Sequence, residues 1–243
     1  MHSLAEAQRI VILSGAGIST SAGIPDFRGP EGLWTRDPYA ELVSTLSWYL
    51  NDDDVRKSAW RRRSDPAVWA AQPTPGHRAV VELERQGRLR AVITQNTDGL
   101  HQVAGNSEEL VHEVHGSMRT WRCEMCGRMG PMEEMVERVR AGEEDPRCPD
   151  CGGITRATVI LFEEVLDADV LQAALDAVED CDAIVAVGTT LGVYPVAGLF
   201  PLALQRGAYG VIVNNSPTPF DDEADEVVRG SIDDVLPGLL AAP

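Results

Sequence analysis

Apolar residues follow two rhythms along this chain. Four short runs are almost uninterrupted: 9–13 (Arg-Ile-Val-Ile-Leu), 89–93 (Leu-Arg-Ala-Val-Ile), 182–187 (Asp-Ala-Ile-Val-Ala-Val) and 208–213 (Ala-Tyr-Gly-Val-Ile-Val). Runs of this length read as strands covered on both faces. The first ends in Ser-Gly-Ala-Gly, a glycine turn. Between the runs the spacing becomes helical. Ala79, Val80 and Leu83 share a face within 76–86, and Gly87 stops that helix. Val170, Leu171, Ala174, Leu175 and Val178 do the same within 167–179, as do Ile232, Val235, Leu236, Leu239 and Leu240 in the tail. Strands alternating with amphipathic helices predict an α/β fold, a Rossmann-like parallel sheet with helices on both faces.

Two stretches break the alternation. Residues 31–75 are rich in Trp, Arg, Asp and Pro and suggest a helical insert with a loop. Residues 118–157 carry two cysteine pairs and one short helix near 131–140. The expected layout is a single domain over 1–243. Its sheet is drawn from 1–30, 76–117 and 158–243, and the helical insert and a small zinc-ribbon module are set into it.

Composition narrows the partners. The net charge is −17, from 38 acidic and 21 basic side chains. A field of that sign repels phosphate backbones and favours basic segments, so direct nucleic-acid binding is disfavoured and a lysine-bearing peptide suits. The first residues lack a basic stretch followed by a signal-length apolar run, and no apolar segment approaches the roughly 20 residues that span a bilayer. A cytoplasmic protein with no membrane partner is expected. Four of the five cysteines lie in C-x-x-C pairs, which suits metal binding in a reducing compartment better than disulfides.

Cys123 and Cys126 are separated from Cys148 and Cys151 by 21 residues. Each pair can present two thiolates to one tetrahedral ion, so the four fill a zinc site and leave no open position. The zinc is therefore expected to be structural. Cys181, at the end of an apolar helix, reads as a small buried hydrophobe.

After the first strand comes Gly15-Ala16-Gly17-Ile18-Ser19, then Gly23-Ile24-Pro25-Asp26-Phe27-Arg28-Gly29. Gly15 and Gly17 would let backbone N–H groups approach a pyrophosphate at a helix N-terminus. The pattern departs from the dehydrogenase fingerprint, because Thr20 replaces the third glycine and no acid-ended strand follows about 20 residues later. Ordinary hydride transfer is disfavoured.

Further segments follow in order: Thr94-Gln95-Asn96-Thr97-Asp98-Gly99-Leu100-His101, then His115-Gly116, the cysteine pairs, Gly188-Thr189-Thr190-Leu191-Gly192-Val193-Tyr194-Pro195, and Val213-Asn214. Taken with GAGIS and GIPDFRG, this series resembles the sirtuins, the NAD-dependent protein-lysine deacylases, over nearly the whole chain. The resemblance implies that Gly15, Ala16, Gly17, Asp26, Phe27, Arg28 and Gln95 line the NAD channel. By the same resemblance Ile24, Asn96 and Asp98 form the nicotinamide pocket. Gly188, Thr189 and Thr190 would lie at phosphate or ribose, Asn214 at the adenosine ribose and Ile232 at adenine.

Of the five histidines, His115 carries the family's catalytic context, Val-His-Gly-Ser, and its near-neutral titration suits a general base. His112 is its local rival, while His77 and His101 read as structural or capping residues. The implied chemistry needs no protein nucleophile. The acyl oxygen of an acylated lysine attacks the nicotinamide ribose at C1′, nicotinamide leaves, and His115 deprotonates the ribose hydroxyls. Asn96 and Asp98 orient water and the nicotinamide carboxamide, and free lysine and 2′-O-acyl-ADP-ribose result.

The substrate peptide is expected between Ile160, Phe162 and Glu163 on one side and Gly192, Val193 and Tyr194 on the other, as added β-structure. Here the chain departs from the family, since Glu163 stands where sirtuins usually have Gly, and Ser216 stands where Glu is frequent. Family members that remove succinyl or malonyl groups carry a Tyr and an Arg three residues apart in the insert. Arg61 or Arg62 could match the Arg, but Ser58 or Ala59 holds the Tyr position. A neutral acyl group such as acetyl is favoured. Desuccinylation, mono-ADP-ribosyl transfer and an NAD-sensing module with its peptide groove blocked by Glu163 stand as the other readings.

Overall fold

The computed structural model describes residues 3–26, 32, 37 and 39–241. In chain order, β1 (Ile10–Ser14) leads into a 3-10 turn over Ala16–Ala22. Four short helices follow: α1 (Tyr39–Val43), α2 (Leu46–Asn51), α3 (Asp53–Arg63) and α4 (Pro66–Ala70). Next come α5 (Pro75–Arg85), β2 (Leu89–Thr94), α6 (Leu100–Ala104) and β3 (Val111–Glu113). The cysteine-bearing segment then contributes β4 (Thr120–Cys123), β5 (Met129–Pro131), α7 (Met132–Arg140) and β6 (Thr155–Ala157). The chain finishes with α8 (Ala168–Glu179), β7 (Ala183–Val187), α9 (Leu199–Gln205), β8 (Tyr209–Val213), β9 (Glu226–Val228) and α10 (Ile232–Leu240).

The main sheet has the order β3-β2-β1-β7-β8-β9, with each neighbouring pair parallel. Period-two alternation divides its side chains between two cores. Val11, Leu13, Ala91, Ile93, Ile184, Ala186 and Ile212 pack with α8 and α9 on one face. Ile10, Ile12, Val92, Val185, Val187, Val211 and Val213 pack with α5 and α10 on the other. This is the α/β architecture that the unbroken apolar runs predict. The expectation omits β3 and β9, three-residue edge strands reading Val-His-Glu and Glu-Val-Val, which are too short and polar to show a run.

Helix ends are set locally. Thr74 and His77 form a reciprocal capping box at α5, with Pro75 in its first turn, and Asp167 caps α8 through the amides of Asp169 and Val170. The cysteine-bearing segment forms a separate antiparallel sheet, β5-β4-β6. Its apolar cluster, including Trp121, Met132, Met135 and Val136, is completed by Trp60 from α3. No described helix is long and apolar enough to cross a membrane.

Candidate active site

The chain runs outward from β1 to β2 and β3, then returns to β7 on the other side of β1. That reversal opens a crevice at the carboxyl ends of β1 and β7, where ligands bind in sheets of this type. The sequence-identified residues converge there: Gly15 follows β1, Gln95 and Asn96 follow β2, Gly188 and Thr189 follow β7, and Asn214 follows β8.

The two glycines of the first turn act differently from the expectation. The Gly15 and Gly17 amides donate to the carbonyls of Val187 and Gly188, both at 2.9 Å. A Cβ on Gly17 would lie 2.6 Å from Gly188 Cα, and one on Gly15 2.8 Å from the Gly188 carbonyl. Gly188 itself has φ +61°. These glycines let two loop backbones cross in contact at the crevice floor. Gly15 caps, and Gly17 lies within, a 3-10 turn, so neither amide is left at an α-helix N-terminus for phosphate.

A buried polar chain lines the crevice behind this crossing. Ser19 Oγ donates to Asp98 Oδ2 at 2.8 Å, and the Leu100 amide donates to Asp98 Oδ1 at 2.9 Å. Asn96 Nδ2 donates to the Gly15 carbonyl and Ser19 Oγ, both at 3.2 Å. Its Oδ1 can still accept, and each Asp98 oxygen retains a second lone pair. Arg119 Nε donates to the Asp98 carbonyl at 2.9 Å and packs against Gly99, whose φ of +70° has no room for a Cβ beside that guanidinium. Deeper in, Ser14 Oγ donates to Thr94 Oγ1 and lies 3.0 Å from His101 Nε2. The sequence reading gives Ser14, Ser19, Thr94 and Arg119 no role. The available signal was a hydroxyl closing each of two otherwise apolar strands.

His115 stands at the mouth, just beyond β3. Its Nδ1 is 3.0 Å from the Gln95 carbonyl. A carbonyl only accepts, so Nδ1 carries a proton and Nε2 is the ring nitrogen able to exchange one. Gly116 has φ +72°, and a Cβ there would meet the Thr158 carbonyl at 2.2 Å. The chain can therefore turn sharply after His115 only with glycine. Gln95 is held in turn by its Nε2 donating to Thr189 Oγ1 at 2.9 Å.

The other histidines separate from this role. His112 pairs with Ile93 in the sheet, and its titration is pushed down by burial and by Arg90, near the amino end of β2. His77 and His101 stack edge-on at 4.8 Å, and burial lowers them to about 4 and about 3. Both are structural, as expected. Burial pushes the Cys181 thiol up to about 12, which fits an inert core residue.

At the carboxyl end of β8, Asn214 Nδ2 donates to the Ser216 carbonyl at 2.8 Å, and Arg229 Nη1 donates to the Asn214 carbonyl. The Ile232 side chain packs close to Gly76 and Ile18 at the start of α10. Ile24 and Asp26 follow the 3-10 turn and Thr190 follows β7, all outside helix and strand. Phe27 and Arg28 lie outside the described residues. Beyond β6, Ile160 N donates to the His115 carbonyl at 2.9 Å, which joins that segment to the catalytic candidate. Gly192, Val193 and the largely exposed Tyr194 lie on the loop after β7.

The four sulfurs of Cys123, Cys126, Cys148 and Cys151 lie within 4.8 Å of one another. Cys123–Cys151 and Cys126–Cys148 stand at 3.5 and 3.7 Å. A zinc–thiolate tetrahedron with bonds of about 2.3 Å has edges near ~3.8 Å, so the cluster fits the ion. With four thiolates the site is closed, and the metal's work is structural.

The Sir2 family model matches residues 15–195. An NAD-dependent protein deacetylase 2 of Streptomyces coelicolor is 49% identical over 231 residues, covering 95% of this chain and 96% of that one. Among solved structures, one described as the basis for the mechanism and regulation of Sir2 enzymes has a TM-score of 0.86 at 38% identity, covering 98% and 93% of the two chains. A Sir2 structure with a p53 peptide and NAD+ has a TM-score of 0.84 at 32% identity, covering 95% and 91%. The chain belongs to the Sir2 family.

Proposed function

We propose that this protein is an NAD-dependent protein-lysine deacetylase in which His115 is the general base. The observation that carries this reading is the hydrogen bond from His115 Nδ1 to the Gln95 carbonyl. It leaves Nε2 as the acceptor at the mouth of a crevice whose back wall is Asn96 and Asp98. Bound NAD supplies a ribose carbon that the acyl oxygen of the substrate lysine attacks as nicotinamide departs.

The chain's own groups do the rest. Asn96 Oδ1 and the free lone pairs of Asp98 orient the nicotinamide carboxamide and the attacking water. Ser19 holds both side chains in register through two hydrogen bonds. His115 Nε2 takes a proton from a ribose hydroxyl, and Nδ1–H stays on Gln95, so the imidazolium that forms is stabilised by a fixed carbonyl dipole. Ala16, Gly188, Thr189, Thr190, Asn214 and Ile232 line the nucleotide's path along the strand ends. The backbone of 160–163 and that of Gly192, Val193 and Tyr194 are the two edges between which the peptide would lie.

Acetyl is favoured over succinyl because Ser58 or Ala59 holds the Tyr position and two of the three arginines that end α3 are engaged. Arg62 pairs with Asp37, and Arg63 lies over the Trp60 ring. The test is mass spectrometry of an acetyl-lysine peptide incubated with NAD. The wild type should release the acetyl group only with NAD and yield 2′-O-acetyl-ADP-ribose. His115→Ala should lower the rate by about 10²–10⁴. Acetyl loss that persists in His115→Ala, or that needs no NAD, would overturn the reading.

A further inference from the structure

The residue that departs from the family pattern, Glu163, has φ +79°, a left-handed backbone that a glycine adopts freely and a glutamate does not. Something must hold it there. Both of its carboxylate oxygens are engaged by one residue of the helical insert. Ser47 N donates to Oε2 at 2.8 Å, and Ser47 Oγ donates to Oε1 at 2.9 Å. Ser47 N is one of the unpaired amides in the first turn of α2, and the N-cap residue Thr45 gives it no side-chain bond. Glu163 therefore caps α2 from 116 residues away. The neighbouring backbone follows, with Phe162 N donating to the Ser44 carbonyl and Leu46 N to the Phe162 carbonyl.

Glu164 points the other way. Its Oε2 accepts from Leu161 N at 2.8 Å, and its Oε1 accepts from Arg122 at 2.9 Å and from Arg156. The Arg156 side chain is 2% exposed, and Arg122 and Arg156 both donate to Glu124, which lies between Cys123 and Cys126. Arg156 also donates to the Val159 carbonyl at 2.8 Å. Segment 159–164 thus starts on the His115 carbonyl through Ile160. Its far end is fixed between two modules, with Glu163 on the helical insert and Glu164 on the zinc knuckle.

We infer that Glu163 and Glu164 are a two-sided clamp that positions the peptide-binding edge, and that Glu163 supports the groove by its tether to Ser47 instead of obstructing it. The inference rests on the deacetylase reading for its substrate, while the clamp itself is a property of the folded chain. Both carboxylates turn away from the groove to protein partners, so their effect on peptide comes through the placement of backbone donors and acceptors. These are positioning residues, since neither touches the reacting atoms.

Glu163→Gly separates the two views by sign. It relieves the left-handed backbone and removes the bulk, but it also removes the tether. A clamp predicts a rise in KM for acetyl peptide of about tenfold, the scale of one charge-assisted hydrogen bond. The KM for NAD should stay within about twofold, since the nucleotide residues lie on other strand ends. Glu163→Gln keeps an oxygen for Ser47 N and should restore much of the peptide affinity. Arg122→Gln, at a half-exposed position on the opposite arm, should give the same peptide-selective rise. Unchanged or lowered peptide KM in Glu163→Gly overturns the clamp. Amide exchange without substrate gives a second readout, with residues 159–164 exchanging faster in Glu163→Gly than in wild type. If the wild type does not deacetylate, the functional reading fails and exchange alone decides the clamp. Equal protection in the two proteins would then dismiss it.

Discussion

Every residue of β1 and β7 is buried, and alternate side chains feed two apolar clusters, one on each face of the sheet. The antiparallel sheet of the zinc module is built otherwise. In β4 only Trp121 and Cys123 are buried, and β5 is largely open to solvent. Its one apolar cluster borrows Trp60 from α3 and includes two of the metal-ligand cysteines. Much of the remaining order there is ionic, through Arg56 with Asp145 and Arg156 with Glu124 and Glu164. A buried ion pair specifies geometry but adds little net stability. The sheet can therefore stand on apolar burial, whereas the zinc module depends on a tie among its sulfurs.

The largest expected effect breaks the molecule along that line. Structural zinc sites contribute roughly 10–16 kcal/mol of apparent binding energy, more than a cluster this small supplies. Stripping the metal with a strong chelator should abolish amide protection across residues 120–157. Protection of β1, β2, β7 and β8 should survive. Hydrogen exchange followed by peptide mass analysis reads both regions at once. Equal loss of protection in the two would mean that the sheet also leans on the metal, and the contrast would fall.

The same contrast explains what the sequence made legible. Four strands show as apolar runs because both of their faces are covered, and the cysteine spacing shows the metal site because ligand geometry demands it. Strands β4, β5 and β6 carry no such run, since their order comes from sulfur and charge. At the site, His115 is bonded to the Gln95 carbonyl beside Asn96, and Asn96 and Asp98 share Ser19. The work of Gly15 and Gly17 was misplaced, because their close contact is with Gly188, far along the chain. Glu163 showed only as a departure from the family's Gly, with a blocked groove among the readings. Its left-handed backbone and its partner Ser47, 116 residues distant, leave no local trace.

Against the sheet lies a buried polar pair, His77 on α5 and His101 on α6, and acid should expose it. Burial depresses both, to about 4 and about 3, below the ordinary 6.5. Their contribution is therefore complete above pH 6.5 and is lost as pH falls toward those values, because the unfolded chain takes up protons that the folded one refuses. At pH 5 that is roughly 2 kcal/mol for each ring. Glu113 opposes it. Burial raises its carboxyl to about 7, so folding gains as the pH drops from 7 toward 4.5, by roughly 2–3 kcal/mol at pH 5. Wild type should thus lose only about 1–2 kcal/mol between pH 7 and 5. Glu113→Gln should unmask a loss of roughly 4 kcal/mol. Exchange of buried β1 and β2 amides measures it without interference from metal release. Parallel pH profiles for the two proteins would show that Glu113 does not compensate the histidines.

The smallest effect sharpens the comparison at the crevice floor, where the sheet's own regularity gives way. Gly17→Ala places a methyl 2.6 Å from Gly188 Cα and 2.9 Å from its carbonyl oxygen, both backbone atoms that no rotamer change can move aside. Gly127→Ala, on the zinc knuckle, meets nothing within 4 Å, and its only penalty comes from φ +73°. Overpacking costs about 1–3 kcal/mol, against roughly 1 kcal/mol for an alanine in the left-handed region. Gly17→Ala should therefore be the more destabilising of the two in urea, and it should push β1 and β7 apart at their carboxyl ends. NAD affinity should fall with it, while Gly127→Ala leaves NAD affinity unchanged. Equal NAD affinity in both variants would mean that the crossing sets the fold of the crevice without setting the width that the nucleotide occupies.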